Sequence, residues 1–155
     1  MKRIVIDDGT REYRVENKYG KVICTLHFRP GDISIAERYR AMRDSFADIV
    51  KPLAELDIKA DGTAADDAAM DAIHAADLAL RKALGKLLDS DDAADIFAER
   101  NPFSSVGGHF FCEVVLDALG EIVGEVMAEE AEASAKRTAK YIEEDGDARA
   151  AAADT

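Results

Sequence analysis

The chain has 155 residues, with 32 acidic against 20 basic side chains, a formal net charge of −12 and only 6% aromatic residues. That length is most simply one domain able to bury a real core, and 28 alanines favour a helical body over a sheet. The charge is uneven, net +4 over residues 1–43 (10 basic, 6 acidic) and −16 over the remainder, which excludes the basic footprint that phosphate-backbone binding requires.

Residues 1–28 alternate in the manner of strands. Ile4 and Ile6 fall on one face with Val5 on the other, Asp7-Asp8-Gly9-Thr10 is a turn signal, and Tyr13 and Val15 alternate with Glu12, Arg14 and Glu16. After a break at Asn17–Gly20, Val22–Phe28 is a third β-prone run. The expectation is a small antiparallel meander, too poor in apolar positions to stand without a covering helix.

Phe28-Arg29-Pro30-Gly31-Asp32 ends the meander, and Ser34-Ile35-Ala36-Glu37 has the spacing of a capping box. Behind it Ile35, Tyr39, Met42, Phe46, Ile49, Val50 and Leu53 recur at three- and four-residue intervals, an amphipathic helix that Pro52 kinks or ends. Asp57–Asp67 reads as a polar link. A second helix to about Leu88 carries Met70, Ile73, Leu80, Leu84 and Leu87 on its stripe. Ser90 is placed to cap a short helix, Asp91 to Ala98, which Asn101-Pro102 stops because a residue before proline is pushed out of helical geometry.

A long helix is expected from Ser105–Gly108, with a wide apolar face from Phe110 and Phe111 to Met127. Beyond Ala128 the sequence is alanine and charge, an acidic helical extension with a Glu132–Lys136 pair and a disordered end from Gly146 to Thr155. The fold class is therefore α+β, mainly α: residues 1–127 form one domain, with a β meander over 1–28 and a helical body over 32–127, and residues 128–155 form an extension and tail. No window reaches the length of a membrane span, and the apolar run after Met1 is too short for a signal peptide. Cys24 and Cys112 read as reduced thiols of a cytoplasmic protein.

The candidate sites are few. Cys24-x-x-His27 and His109-x-x-Cys112 supply four soft ligands that suit structural zinc, which would make the chain a small zinc-stabilised regulator or metal-dependent enzyme. Against this, positions three apart in a strand point to opposite faces, and Cys112 sits among apolar neighbours where a buried thiol is ordinary. His74, between Asp71 and Asp77, is either a general base oriented by a carboxylate or a surface histidine in weak helical charge pairs. Asp66-Asp67, Asp89–Asp92 and Glu143–Asp145 lack the ligand spacing of a calcium loop. Gly107-Gly108 at a helix start offers a phosphate cradle without a lysine. No catalytic set emerges, no cofactor is expected, and the tail beyond Ala128 is either a solvated helix or a segment that orders on a partner.

Two stretches carry a family resemblance. Phe28-Arg29-Pro30-Gly31-Asp32-Ile33, followed by the helix containing Arg38, resembles the start of phage and prophage tail assembly chaperones. Asp95-Ile96-Phe97, a break, then Asn101-Pro102-Phe103 and a long helix resemble their second half. The resemblance covers roughly residues 22–127, and it departs from the family pattern at Ala98-Glu99-Arg100, where a glycine is more usual, and in the length of residues 58–70. It implies a non-enzymatic protein of long-tailed phage morphogenesis in the bacterial host cytoplasm. Such a protein binds the tape measure protein, keeps its apolar helices soluble and helps recruit tail tube subunits. The partner-binding residues expected are Ile96, Phe97, Phe103, Phe110 and Phe111, or Tyr39 and Phe46 of the first helix, acting in an apolar groove or in self-association as a homo-oligomer. A helical adaptor with no phage connection is the remaining alternative.

Overall fold

The structure is a computed structural model that describes residues 1–56 and 66–153, with side chains as far as Gly146. Its order is β1 (Arg11–Glu16), β2 (Val22–Phe28), α1 (Ile35–Glu55), α2 (Asp67–Leu88), a short 3₁₀ helix (Ala93–Phe97), β3 (Ser105–Val106), β4 (His109–Phe110) and α3 (Phe111–Ala153). The chain is α+β and mainly α: an amino-terminal antiparallel hairpin followed by three helices.

The meander has two strands rather than three. β1 and β2 pair antiparallel, with Tyr13 opposite Leu26 and Val15 opposite Cys24, and a bulge makes Ile23 an extra residue on β2. Ile4, Val5 and Ile6 form no strand and are exposed to solvent. The Asp7–Thr10 turn exists, with Asp7 and Asp8 side chains accepting from the Gly9 and Thr10 amides, but it does not fold the first residues back onto β1. Asn17 closes the β1–β2 turn by accepting from the Tyr19 and Lys21 amides.

Phe28 and Pro30 are buried, and the chain enters α1 on a device different from the expected capping box. Ser34 makes no side-chain cap; Asp32 accepts from the Ser34 amide at 2.9 Å and from Arg38 Nη1 at 3.2 Å. The aspartate does both tasks because it sits three residues before the first residue of the helix, where its two oxygens reach an amide and a guanidinium together. Arg38 also donates to the Leu87 carbonyl at 2.9 Å, tying the start of α1 to the end of α2. α1 passes through Pro52 and ends at Glu55. The polar link expected over 57–67 falls, as far as residue 65, outside the described residues.

Asp66 caps the start of α2, its carboxylate accepting from the Ala69 amide at 2.7 Å. Leu80, Leu84, Leu87 and Leu88 are buried, and each such side chain contributes about 1.5–3 kcal/mol relative to exposure. Met70 at the open end of the stripe stays exposed. Asp89 terminates the helix in the left-handed conformation (φ 48°) and pairs with Arg29 at 2.7 Å. The short helix beyond is 3₁₀ and spans Ala93–Phe97, inside the expected 91–98.

The long helix begins later than its glycines imply. Gly107 and Gly108, both at positive φ (58° and 83°), are the two central residues of a tight hairpin between β3 and β4, the geometry that favours glycine at both positions. α3 then starts at Phe111. It buries Cys112, Val115, Leu119, Val123 and Val126 at three- and four-residue spacing against the body. It continues as a helix to Ala153, exposed as far as Gly146, where a disordered end was expected from Gly146; alanine's high helix propensity is the reason. Residues 154 and 155 lie outside the described residues. Glu132 and Lys136 do pair, at 3.1 Å. No helix among the described residues is long and apolar enough to cross a membrane.

Candidate functional site

The proposed zinc ligands do not converge. Cys24 is half-buried on the inner face of β2, while His27 lies on the outer face, between Asp92 (Nδ1 at 2.9 Å) and Glu12 (Nε2 at 3.2 Å). His109 is exposed near Glu113, and Cys112 is fully buried on α3. Among the described residues no group of three or more His, Cys, Asp or Glu side chains is arranged to hold a metal ion. Desolvation pushes the Cys112 thiol up to about 12 and also raises Cys24, helped by the Asp95 and Asp92 charges, so neither thiol is activated.

His27 is instead a clamp. Hydrogen bonds first to Asp92 and then to Glu12 raise its pKa above 6.5, which favours the imidazolium. Burial of the Asp92 carboxyl raises that group's pKa, but the hydrogen bonds from the Ser90 hydroxyl and His27 outweigh it, so the carboxylate prevails. The result joins β1, β2 and the turn before the 3₁₀ helix. Nothing in local spacing reveals this, because His27 and Asp92 are 65 positions apart.

The other small candidates resolve into structure. His74 is exposed on α2, and the carboxylate of Asp77 is held by Arg81 at 2.6 Å. The amides at the start of α3 are already taken. Phe110 donates to Glu113 at 2.7 Å, Phe111 to the Ser104 carbonyl and Cys112 to the Pro102 carbonyl, both at 2.8 Å, which leaves no cradle for phosphate.

The candidate partner-binding residues divide three ways. Ile96, Phe97 and Phe103 are core residues, 4%, 2% and 8% exposed. For Phe97 and Phe103 that is a correction: Phe97 packs edge-on to Phe111, Phe103 edge-on to Phe110, and Arg81 covers the Phe97 ring while donating to the Phe97 carbonyl at 2.9 Å. The Asn101-Pro102 stop folds these rings inward, with Asn101 accepting from the Phe103 amide. Tyr39 and Phe46 are half-buried against the core, and the Tyr39 hydroxyl donates to the Leu116 carbonyl at 3.3 Å, joining α1 to α3. Phe110, the last residue of β4, is half-buried.

Phe111 and Ile96 do line an opening. A groove of about 620 Å³ runs between the hairpin and the first turns of α3. Tyr13, Val15, Leu26 and Phe28 form one wall; Phe111, Val114, Ala118 and Ile122 form the other. Arg100, stacked over the Phe111 ring at 5.8 Å, joins Arg14, Glu16 and Lys18 at its charged rim. Periodicity found the α3 wall, but the β1 wall needed the hairpin's position over α3, which is a tertiary fact. No family model, curated protein or solved structure matches this chain.

Proposed function

We propose that the chain is a non-enzymatic interaction protein of the phage tail assembly chaperone type, and that the groove between the hairpin and α3 receives an apolar helical face of its partner. The observation that carries this reading is the groove itself, a volume of about 620 Å³ lined mainly by aliphatic and aromatic side chains and open to solvent, with Val114 41% exposed on its wall. An amphipathic helix laid into such a groove anchors through residues at i, i+3, i+4 and i+7. The residues of the resemblance support it from below. Phe28 and Ile96 of the two stretches line the groove, while Asp32 fixes the chain at the entry to α1 and Asn101 the turn that leads towards α3.

By that resemblance the partner is the tape measure protein, whose long apolar helices need cover before assembly. Tail tube subunits are the second partner, and the compartment is the bacterial cytoplasm. Co-expression with a long, helical, aggregation-prone tape measure protein tests the reading. The wild-type chain raises the soluble fraction of that protein, and Val114→Glu with Ala118→Glu, both at exposed groove positions, abolishes the gain while the circular dichroism of the chain is unchanged. No gain with the wild type, or an equal gain with the double variant, overturns the proposal.

A further inference from the structure

The first six residues and the outer edge of β1 are complementary, and one chain does not bring them together. Ile4, Val5 and Ile6 are 86%, 81% and 77% exposed, a β-branched run with strong strand preference left in water. Among the described residues no strand pairs with the outer edge of β1, whose other edge is taken by β2. Such an edge is a template for another strand. The groove is lined by consecutive residues from Tyr13 to Tyr19, so it opens along that edge.

The route of the chain keeps the arm from its own β1. Asp8 pairs with Arg29, just past the end of β2, at 3.6 Å, and the Gly9 and Thr10 amides are held by Asp7 and Asp8. The arm therefore leaves β1 across the end of β2, on the side away from the free edge.

We infer that the arm Met1–Ile6 of one copy adds as an antiparallel strand to the outer edge of β1 in a second copy. One register satisfies both faces. Ile4 opposite Val15 and Ile6 opposite Tyr13 turn both isoleucines toward the apolar groove. The same register sets Arg3 opposite Glu16 on the outer face, an opposite-charge pair, while Val5 lies opposite Arg14. β1 is regular there, the bulge being on β2. Reciprocal exchange of two arms closes a two-fold dimer. The arm covers the groove assigned above to a partner helix, but self-association is read on the chain alone and stands or falls separately.

Sedimentation equilibrium of the full chain at micromolar concentrations tests this. The wild type sediments as a dimer, and Ile4→Asp with Ile6→Asp makes it monomeric; diluted until both are monomers, the variant and the wild type melt together, since the arm supports nothing in its own copy. Arg3→Glu and Glu16→Arg each raise the dimer dissociation constant about fivefold to tenfold. An equimolar mixture of those two variants regains the wild-type constant, because each Glu at position 3 then meets an Arg at position 16 of the other chain. A wild type still monomeric at about 100 μM, a double aspartate variant that melts earlier than the wild type when both are diluted to monomers, or a mixture no tighter than its components overturns the inference.

Discussion

Gly120 of α3 packs against Tyr39 of α1, and it offers a clean test of how the helices are joined. A Cβ built there would lie 2.6 Å from the Tyr39 hydroxyl oxygen and 3.1 Å from Cζ, whereas one at Gly124, a turn later on the same helix, meets nothing within 4 Å. Intrinsic propensity favours alanine over glycine by about 1 kcal/mol at either position. At Gly124 that gain is uncontested, so Gly124→Ala stabilises by about 0.5–1 kcal/mol. At Gly120 the ring must swing away, losing the hydrogen bond to the Leu116 carbonyl (about 1 kcal/mol) and about 1–2 kcal/mol of ring packing. Gly120→Ala should therefore destabilise by about 1–2 kcal/mol, and the two glycine variants should differ by about 2–3 kcal/mol. Urea denaturation followed by circular dichroism measures both. Adding Tyr39→Phe to Gly120→Ala removes the 2.6 Å conflict and should recover part of the loss, a non-additivity that distant sites do not show. Equal stabilisation by the two alanines would refute this account of the α1–α3 contact.

Two further predictions follow from the titrating groups. Because folding raises the pKa of His27 above 6.5, its clamp contributes fully below pH 6.5 and is lost as pH rises through the folded value; His27→Gln should flatten stability against pH in that window, and an NMR titration of the ring that shows a pKa at or below 6.5 would contradict the clamp. With Cys112 fully buried and its thiol held near 12, iodoacetamide at pH 8 should label Cys24 first. Cys112 should react only through global opening, on the order of a thousandfold more slowly; equal labelling rates in the native protein would show that α3 opens locally.

Local pattern carried the helices further than it carried their junctions. The three- and four-residue recurrence from Ile35 to Leu53 and from Leu80 to Leu87 marks faces that are indeed packed, since a buried stripe leaves a periodic trace whatever it packs against. The Asn101-Pro102 stop was legible for the same reason, being a backbone constraint. Strand pairing was not: Ile4–Ile6 has the alternation of a strand, yet alternation says nothing about whether an edge is within reach. The glycine pair at 107–108 was misplaced because a helix start and a tight hairpin share a preference for glycine, and only the positive φ at both residues separates them. For the phenylalanines, sequence marked a cluster but could not assign inside and outside. Arg81, which closes over Phe97 and fixes the answer, lies sixteen positions away on another helix.

α3 is continuous in geometry but not in what sustains it. Up to Val126 its amides sit over a packed face and can exchange with solvent water only when the core opens. From Met127 to Gly146 every residue is exposed; Arg11 of β1 reaches Glu129 and Glu130, both at 3.7 Å, and beyond them the hydrogen-bond ladder rests largely on alanine propensity and pairs such as Glu132–Lys136. A single rod some 65 Å long thus contains two cooperative units, separated just past Glu130 without any break in the backbone. Unwinding that begins at the far end meets its first tertiary tie at Glu130 and Glu129, held by Arg11, and then the packed face at Val126.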